Sequence, residues 1–125
     1  MLDHIGFAVS DFARSKAFYD KALAPLGIGV MMEVTPEQSG GQYEAVGFGK
    51  DGKPFFWFAR GDVARMHVAF AADNRDMVDA FYRAAIAAGA KDNGPPGLRP
   101  HYHANYYGAF VLDPDGHNIE AVCHR

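Results

Sequence analysis

Two stretches of the chain, HIGFAVSDFARSKAFYDKALA at residues 4–24 and HVAFAADNRDMVDAFYRAAIA at residues 67–87, decide the fold because they repeat each other. They align without a gap at an offset of 63 residues, and 8 of the 21 positions are identical. The identities include shared histidine and aromatic positions: His4 with His67, Phe7 with Phe70, and the Ala-Phe-Tyr triplets at 17–19 and 80–82. Chance does not readily place these residue types in one register, so we interpret the chain as two copies of one unit.

Each copy begins with a strand-like segment and continues as an amphipathic helix. Polar residues that suit a helix N-cap precede both helices, and glycines that suit a helix end follow them: Ser10 or Asp11 with Gly27, and Asp73 or Asn74 with Gly89. Further strands are predicted at 29–35, 43–49, 54–59, 106–112 and 118–124, whereas the Gly- and Pro-rich 90–100 holds an irregular edge strand or a loop. The pattern predicts an α+β fold of two βαβββ modules, about 1–60 and 61–125.

Charge and composition exclude several classes of function. Twelve Lys and Arg against fifteen Asp and Glu give a net charge of -3 without a basic run, which argues against nucleic-acid binding. No apolar run approaches the ~20 residues that cross a bilayer, so no membrane partner is expected. The single cysteine, Cys123, cannot form an intramolecular disulfide, and the first residues do not resemble a secretion signal. A cytoplasmic location and a small, buried Cys123 are the corresponding expectations.

Strand alternation separates a face that is suited to chemistry from a face that packs. Small residues share one face with each repeated histidine: Gly6 and Ala8 with His4, and Ala69 and Ala71 with His67. In the last strand Glu120 stands between apolar residues, where an unpaired charge is costly. Two imidazoles and one carboxylate match the 2-His-1-carboxylate site for one divalent metal, with Fe²⁺, Mn²⁺, Zn²⁺ and Ni²⁺ all compatible. The alternative is that the histidines are hydrogen-bonded core residues.

Residues 99–107 concentrate further polar and aromatic side chains before a predicted strand. His101 and His103 are candidates for a general acid or base, and Tyr106 and Tyr107 are candidates for a hydrogen bond to substrate, while Arg99 suits an anion. The alternative is a lid that only shapes the pocket.

The remaining candidates lie in the FFWF block and in the last predicted hairpin. In the block at 55–58, Phe56 and Trp57 are core residues or line an apolar substrate pocket. His117, in the hairpin that begins DPDG, is predicted to be solvated.

The segments HIGFAVSD with SKAFYDKALAPLGI, HVAFAADNRDMVDAFY, and AFVLDPDGHNIEAVCH together resemble the vicinal oxygen chelate superfamily, which includes glyoxalase I, extradiol dioxygenases, fosfomycin-resistance enzymes and bleomycin-resistance proteins. The resemblance covers nearly the whole chain and implies a curved mixed sheet around a cavity, with the helices outside. By position it implies His4, His67 and Glu120 as metal ligands. The fourth ligand position falls near Phe56 or Trp57, which cannot bind a metal, so the resemblance argues against true glyoxalase I activity.

The expected function is therefore that of a divalent-metal-dependent enzyme that chelates vicinal oxygens of a small oxygen-rich molecule. It acts as a lyase or isomerase, or as an extradiol-type dioxygenase. One alternative is a bleomycin-resistance-like protein that binds a small molecule or drug without turnover. Another is a dimeric scaffold in which His4, His67 and Glu120 are the remnant of a metal site and bind no metal. The resemblance also implies a homodimer, with a site either within one chain or shared between two.

Overall fold

The computed structural model describes residues 1–125 as two modules, each with a strand and a helix followed by further strands, three in the first module and four in the second. The strands are β1 (Ile5–Val9), β2 (Gly29–Val34), β3 (Ala45–Lys50), β4 (Lys53–Arg60), β5 (His67–Ala71), β6 (Lys91–Asp92), β7 (Gly97–Leu98), β8 (Tyr107–Leu112) and β9 (Asn118–Cys123), and the helices are α1 (Phe12–Ala22) and α2 (Arg75–Ala87). A short 3₁₀ helix, Ala24–Leu26, follows α1. Neither α1 nor α2 has the length and apolar character needed to span a bilayer.

The helix boundaries follow from local capping. The side chains of Asp11 and Asn74 accept hydrogen bonds from the third residue of α1 and of α2, Arg14 and Met77. After α1 and its 3₁₀ extension the chain turns at Gly27, which has a φ of 74°. Glycine adopts this left-handed conformation at little cost because it has no Cβ. The predicted helices and their caps are therefore confirmed.

Each module forms one mixed sheet. Module 1 has the strand order β1-β4-β3-β2, and module 2 has the order β5-β9-β8-β6, with β7 pairing to β8. The first strand of each module runs parallel to the last one, with Ile5 beside Phe56 in module 1 and Val68 beside Ile119 in module 2. The tandem α+β fold predicted from the repeat is confirmed, and the predicted weak segment at 90–100 contains only the two-residue strands β6 and β7.

One face of each sheet packs into a core that the two modules share. Phe56 of β4 contacts Phe70 of β5 edge to face, with ring centroids 5.2 Å apart, and Tyr19 of α1 packs on Phe56. The helices α1 and α2 also contact each other. We call the other side of each sheet, which carries the row of small residues, its open face. The covered faces of both sheets contribute to this one core, and the strands form two separate sheets rather than one.

His117 corrects one prediction from the sequence, because it is completely buried rather than solvated. Its ring stacks on Phe7 at 4.0 Å, and its Nδ1 accepts a hydrogen bond from the backbone N–H of Met66. The opposite nitrogen, Nε2, donates to the carbonyl oxygen of Ala8. The hairpin of module 2 therefore inserts this side chain between the first strands of both modules. Cys123 is buried, as predicted.

Candidate metal and substrate site

His67 and Glu120 come together on the open face of module 2. The strands β5 and β9 are parallel neighbours, and their register places Ala69 beside Glu120 and His67 beside Asn118. The Nε2 atom of His67 lies 3.2 Å from Oε1 of Glu120. Glu120 is only 1% exposed, whereas the His67 side chain is half exposed. The predicted pairing of this histidine with this carboxylate is thus present in the fold.

The protonation of the His67 ring is set by its second nitrogen. Nδ1 lies 3.0 Å from the backbone oxygen of Asn118, which can only accept, so Nδ1 carries the hydrogen. In the neutral ring Nε2 therefore presents a lone pair to the carboxylate oxygen of Glu120. Two acceptors so close together repel each other, and a cation bound by both relieves that repulsion. A histidine whose other nitrogen donates to a backbone carbonyl is also the arrangement found at protein metal sites.

Tyr106 completes the surroundings of Glu120. Its hydroxyl donates a hydrogen bond to Oε2, the carboxylate oxygen that does not face His67. Desolvation by burial, followed by the contact with Glu120, raises the pKa of Tyr106 to about 12. The hydroxyl therefore remains protonated at neutral pH and acts as a donor.

His4 lies on the open face of module 1, directly before β1, and is exposed. Its Nδ1 donates to Oδ1 of Asp3 at 2.8 Å, which leaves Nε2 free. The hydrogen bond from Lys53, and then that from His4, lowers the pKa of Asp3 below its usual value. Nowhere in the chain do three His, Cys, Asp or Glu side chains gather closely enough to hold a metal, so His4 does not join His67 and Glu120 within one chain.

The other predicted site residues divide between the open faces, the loop and the core. Arg99 donates to the carbonyls of Gly97 and Pro95, and its guanidinium lies 5.5 Å from the ring of Phe110. Phe110 in turn stacks on His67, with centroids 6.4 Å apart, so Arg99 lies on the side of the sheet that carries His67. This geometry suits the predicted anion contact, which stays a prediction.

His101 and His103 are exposed on the loop before β8. His103 Nδ1 accepts from the backbone N–H of Asn105, and the ring of His101 lies 4.2 Å from that of Tyr102. Neither histidine has a hydrogen bond or an ion pair to Glu120. They lie outside the pair formed by His67 and Glu120, and their predicted acid or base role is not tested by the fold.

Tyr107 and Phe56 point away from the open faces. The Tyr107 hydroxyl donates to Asp79 of α2 at 2.7 Å, and the guanidinium of Arg75 lies over the Tyr107 ring. Phe56 is buried in the shared core, and it also lines the apolar groove between the two modules on the side of β5. Trp57, in contrast, alternates onto the open face of module 1, next to Gly6 across the β1–β4 pairing. The structure therefore brings Trp57, but not Tyr107, to a face that a substrate can reach.

Three further residues of the site were not singled out in the sequence: Asp3, which orients His4; Asn118, whose carbonyl orients His67; and His124, whose ring lies 5.2 Å from that of Tyr106. Strand alternation places His124 on the face of Glu120 and is a signal for it in the sequence. The carbonyl contact of Asn118 depends on backbone geometry between two strands, and no sequence pattern reports it.

An apolar groove of about 440 Å³ separates the two modules on the side of β5. Nine of its 13 lining residues are hydrophobic, and both His4 and His67 reach it. The groove therefore offers apolar surface next to the two repeated histidines.

Comparison with known proteins places these features in a family. The family model of the Glyoxalase/Bleomycin resistance protein/Dioxygenase superfamily matches residues 1–121. A glyoxalase/bleomycin resistance protein from Albidiferax ferrireducens T118 is 29% identical, with a TM-score of 0.78 over 100% of this chain and 99% of that one. No functionally curated protein matches the chain.

Two more distant structures share the fold. The fosfomycin resistance protein FosX from Listeria monocytogenes, solved with Mn(II) and 1S,2S-dihydroxypropylphosphonic acid, is 20% identical, with a TM-score of 0.69 over 98% of this chain and 88% of that one. Lactoylglutathione lyase from Agrobacterium tumefaciens is 17% identical, with a TM-score of 0.70 over 98% and 92% of the two chains.

Proposed function

Since the chain belongs to the glyoxalase/bleomycin resistance protein/dioxygenase superfamily, we propose that it is a divalent-metal-dependent enzyme acting on a small oxygen-rich molecule. In this proposal the metal ligands are His67 and Glu120 of one chain and His4 of a second copy. The reaction is a lyase or isomerase step or an extradiol-type ring cleavage. The metal-bound relative FosX supports the use of a divalent ion by a protein of this fold.

One observation carries the proposal: His67 Nε2 and the carboxylate Oε1 of Glu120 lie 3.2 Å apart. No Lys or Arg side chain pairs with this buried carboxylate. A buried carboxylate without a cationic partner is costly, and a divalent cation removes that cost while using both donor atoms. If only a proton lies between them, the two residues form an ion pair and bind no metal.

The proposal requires a second copy because His4 lies on the other module. Within one chain His4 does not gather with His67 and Glu120, whereas in the proposed two-fold dimer module 1 of each copy approaches module 2 of the other. Asp3 then holds the His4 ring with Nε2 free, as Asn118 does for His67. Two equivalent sites per dimer result.

The chain's own residues define what the site does around the metal. A bound divalent ion supplies Lewis-acid stabilisation of negative charge on two neighbouring substrate oxygens. Arg99 contributes positive charge beside the ring that stacks on His67, which favours an anionic substrate or an anion that develops during the reaction. Trp57 of the second copy contributes an apolar wall, and His103 is the proposed acid or base on the loop.

Metal analysis tests the proposal directly. We expect protein purified without chelator, or reconstituted with Mn²⁺, to hold about one ion per chain. The variants His4→Ala, His67→Ala and Glu120→Ala should lose the ion, and His101→Ala, which removes an exposed histidine outside the ligand set, serves as the matched control. Full occupancy in all three ligand variants contradicts the proposal. Reconstitution with Fe²⁺ and oxygen-uptake assays on a catechol panel separate ring cleavage from the lyase or isomerase branch.

A second candidate function is binding of a small molecule or drug without turnover. The apolar groove of about 440 Å³ supports it, because such a groove can hold a ligand without any metal. Calorimetric titration of chelator-treated protein with bleomycin tests this candidate. Micromolar binding by the metal-free protein favours it, whereas binding that requires the metal favours the enzyme.

A further inference from the structure

Glu120 has two carboxylate oxygens in different surroundings. Oε1 faces His67, and Oε2 accepts the hydrogen bond from the Tyr106 hydroxyl. Glu120 lies within β9 between Ile119 and Ala121, whose side chains cannot hydrogen-bond to the carboxylate. The orientation of the carboxylate therefore depends on the other polar groups that it contacts. Among the side chains of this chain, Tyr106 is the one hydroxyl that contacts it.

Tyr106 is itself held from both sides. Its backbone oxygen accepts from the N–H of Arg99 at 2.7 Å, and its N–H donates to the carbonyl of His103 at 3.1 Å. Its ring packs edge to face between Tyr102 and His124, with centroids 5.1 and 5.2 Å away. A side chain restrained in this way presents its hydroxyl at a defined point, which is the requirement for orienting another group.

Gly108 gives independent support, because it makes room for this contact. A Cβ atom at position 108 would lie 3.1 Å from the Tyr106 ring and 3.3 Å from Oε2 of Glu120. The backbone there is in β8, where an ordinary residue is otherwise favoured over glycine. The absence of a side chain at Gly108 thus leaves the space in which the Tyr106 ring and the Glu120 carboxylate meet.

We propose that Tyr106 is a positioning residue that holds Oε2 of Glu120 and so keeps Oε1 beside Nε2 of His67, ready for a divalent cation. This inference rests on the proposed function, since it assigns Tyr106 to the carboxylate ligand of that metal. Groups that hydrogen-bond to metal ligands fix the orientation of those ligands, and their loss commonly weakens metal affinity by about 10–100-fold.

Mn²⁺ affinity, measured by calorimetry on the full chain, tests the role of Tyr106. We expect Tyr106→Phe, which removes only the hydroxyl, to bind Mn²⁺ about 10–100-fold more weakly than the unaltered protein. The matched control is Tyr107→Phe, which removes the hydroxyl of the next residue, bonded to Asp79 on the covered side. We expect the control to bind Mn²⁺ as the unaltered protein does.

Two further measurements separate positioning from a general loss of structure. Gly108→Ala should weaken Mn²⁺ binding in the same direction, because the added methyl group displaces the tyrosine or the carboxylate. The visible absorption bands of bound Co²⁺ should change in Tyr106→Phe and stay unchanged in Tyr107→Phe, since the bands report ligand geometry. Equal Mn²⁺ affinity in Tyr106→Phe and the unaltered protein overturns the inference, and so does an equal loss in Tyr107→Phe.

The ligand variants distinguish this failure from a failure of the proposed function. If His67→Ala and Glu120→Ala bind Mn²⁺ as the unaltered protein does, there is no metal centre at this pair, and both proposals are wrong. If these variants lose Mn²⁺ while Tyr106→Phe keeps it, only the role of Tyr106 is wrong.

Discussion

Hydrogen bonds between polar residues join the two modules at a few points. The Tyr19 hydroxyl, on α1 of module 1, donates to Oδ2 of Asp113 at 2.6 Å, and Asp113 begins the β8–β9 hairpin of module 2. Two residues on, the carboxylate of Asp115 accepts from the N–H of Ser10. Burial, and then the charge of Asp113, raises the pKa of Tyr19 well above the ordinary tyrosine value. Loss of the Tyr19 proton would therefore weaken this contact between the modules.

This shift predicts how stability depends on pH. The unfolded chain releases the Tyr19 proton near pH 10, whereas the folded chain retains it, so this contribution is complete below about pH 10 and is lost as the pH rises through the folded pKa. Between about pH 10 and about pH 11, Tyr19→Phe should lose about 1 kcal/mol less unfolding free energy than the unaltered protein. Urea titrations at several pH values measure this, with Tyr43→Phe as the exposed control. Parallel pH profiles for Tyr19→Phe and the unaltered protein would show that Tyr19 does not titrate in this way.

At the scale of elements, the β3–β4 hairpin depends on the absence of side chains at two glycines. A Cβ at position 47 would lie 2.7 Å from the Trp57 ring, and a Cβ at position 49 would meet the Lys53 backbone and approach the Cα of Pro54 to 2.8 Å. The register between β3 and β4 shifts at Gly49, which marks a bulge. The absence of a side chain at Gly47 therefore leaves room for the Trp57 ring on the open face. The absence of one at Gly49 permits the bend before the turn.

We predict that Gly49→Ala destabilises the fold by on the order of 2–4 kcal/mol, because backbone atoms rather than a mobile side chain must move. Gly29→Ala is the matched control, since it changes a glycine in the neighbouring strand β2 where nothing lies within 4 Å of the added methyl group. Thermal or urea unfolding of both variants measures the difference. An effect of Gly49→Ala no larger than that of Gly29→Ala would contradict the role given to the bulge.

At the scale of the whole molecule, the shared core determines which open faces can meet. The aromatic contact between Phe56 and Phe70 joins the covered faces of both sheets, so the histidine of module 1 and the pair of module 2 belong to different open faces. In the proposed three-residue site, two copies supply the ligands, each contributing a different module.

Mixing two inactive variants tests the shared site. His4→Ala and Glu120→Ala should each lose Mn²⁺ when alone. After subunit exchange, a mixed dimer has one site with His4 from one chain and His67 with Glu120 from the other, so about one quarter of all sites should recover the metal. Mixing His67→Ala with Glu120→Ala is the control, because both changes affect the same module and no site is restored. No recovery in the first mixture would contradict the shared site.

Much of the fold was predictable because its signals are local. The aromatic and histidine repeat indicated two modules, Asp11 and Asn74 marked the helix starts, and the alternation in β5 and β9 placed His67 and Glu120 on one face. The orientation of Tyr107 was not predictable in the same way. Its neighbour Tyr106 has the same side chain. Only the point at which β8 begins decides which of the two tyrosines is directed toward Glu120.

The sequence by itself determined the two-module architecture, the strand faces and the identities of the candidate ligands, because periodicity and capping act over a few residues. Only the tertiary structure decided that His117 is buried between the modules, that Tyr106 contacts Glu120, and that His4 does not gather with His67 and Glu120. These outcomes depend on how two separately patterned sheets pack through one apolar core. That packing is a property of surfaces distant along the chain, and no local pattern specifies it.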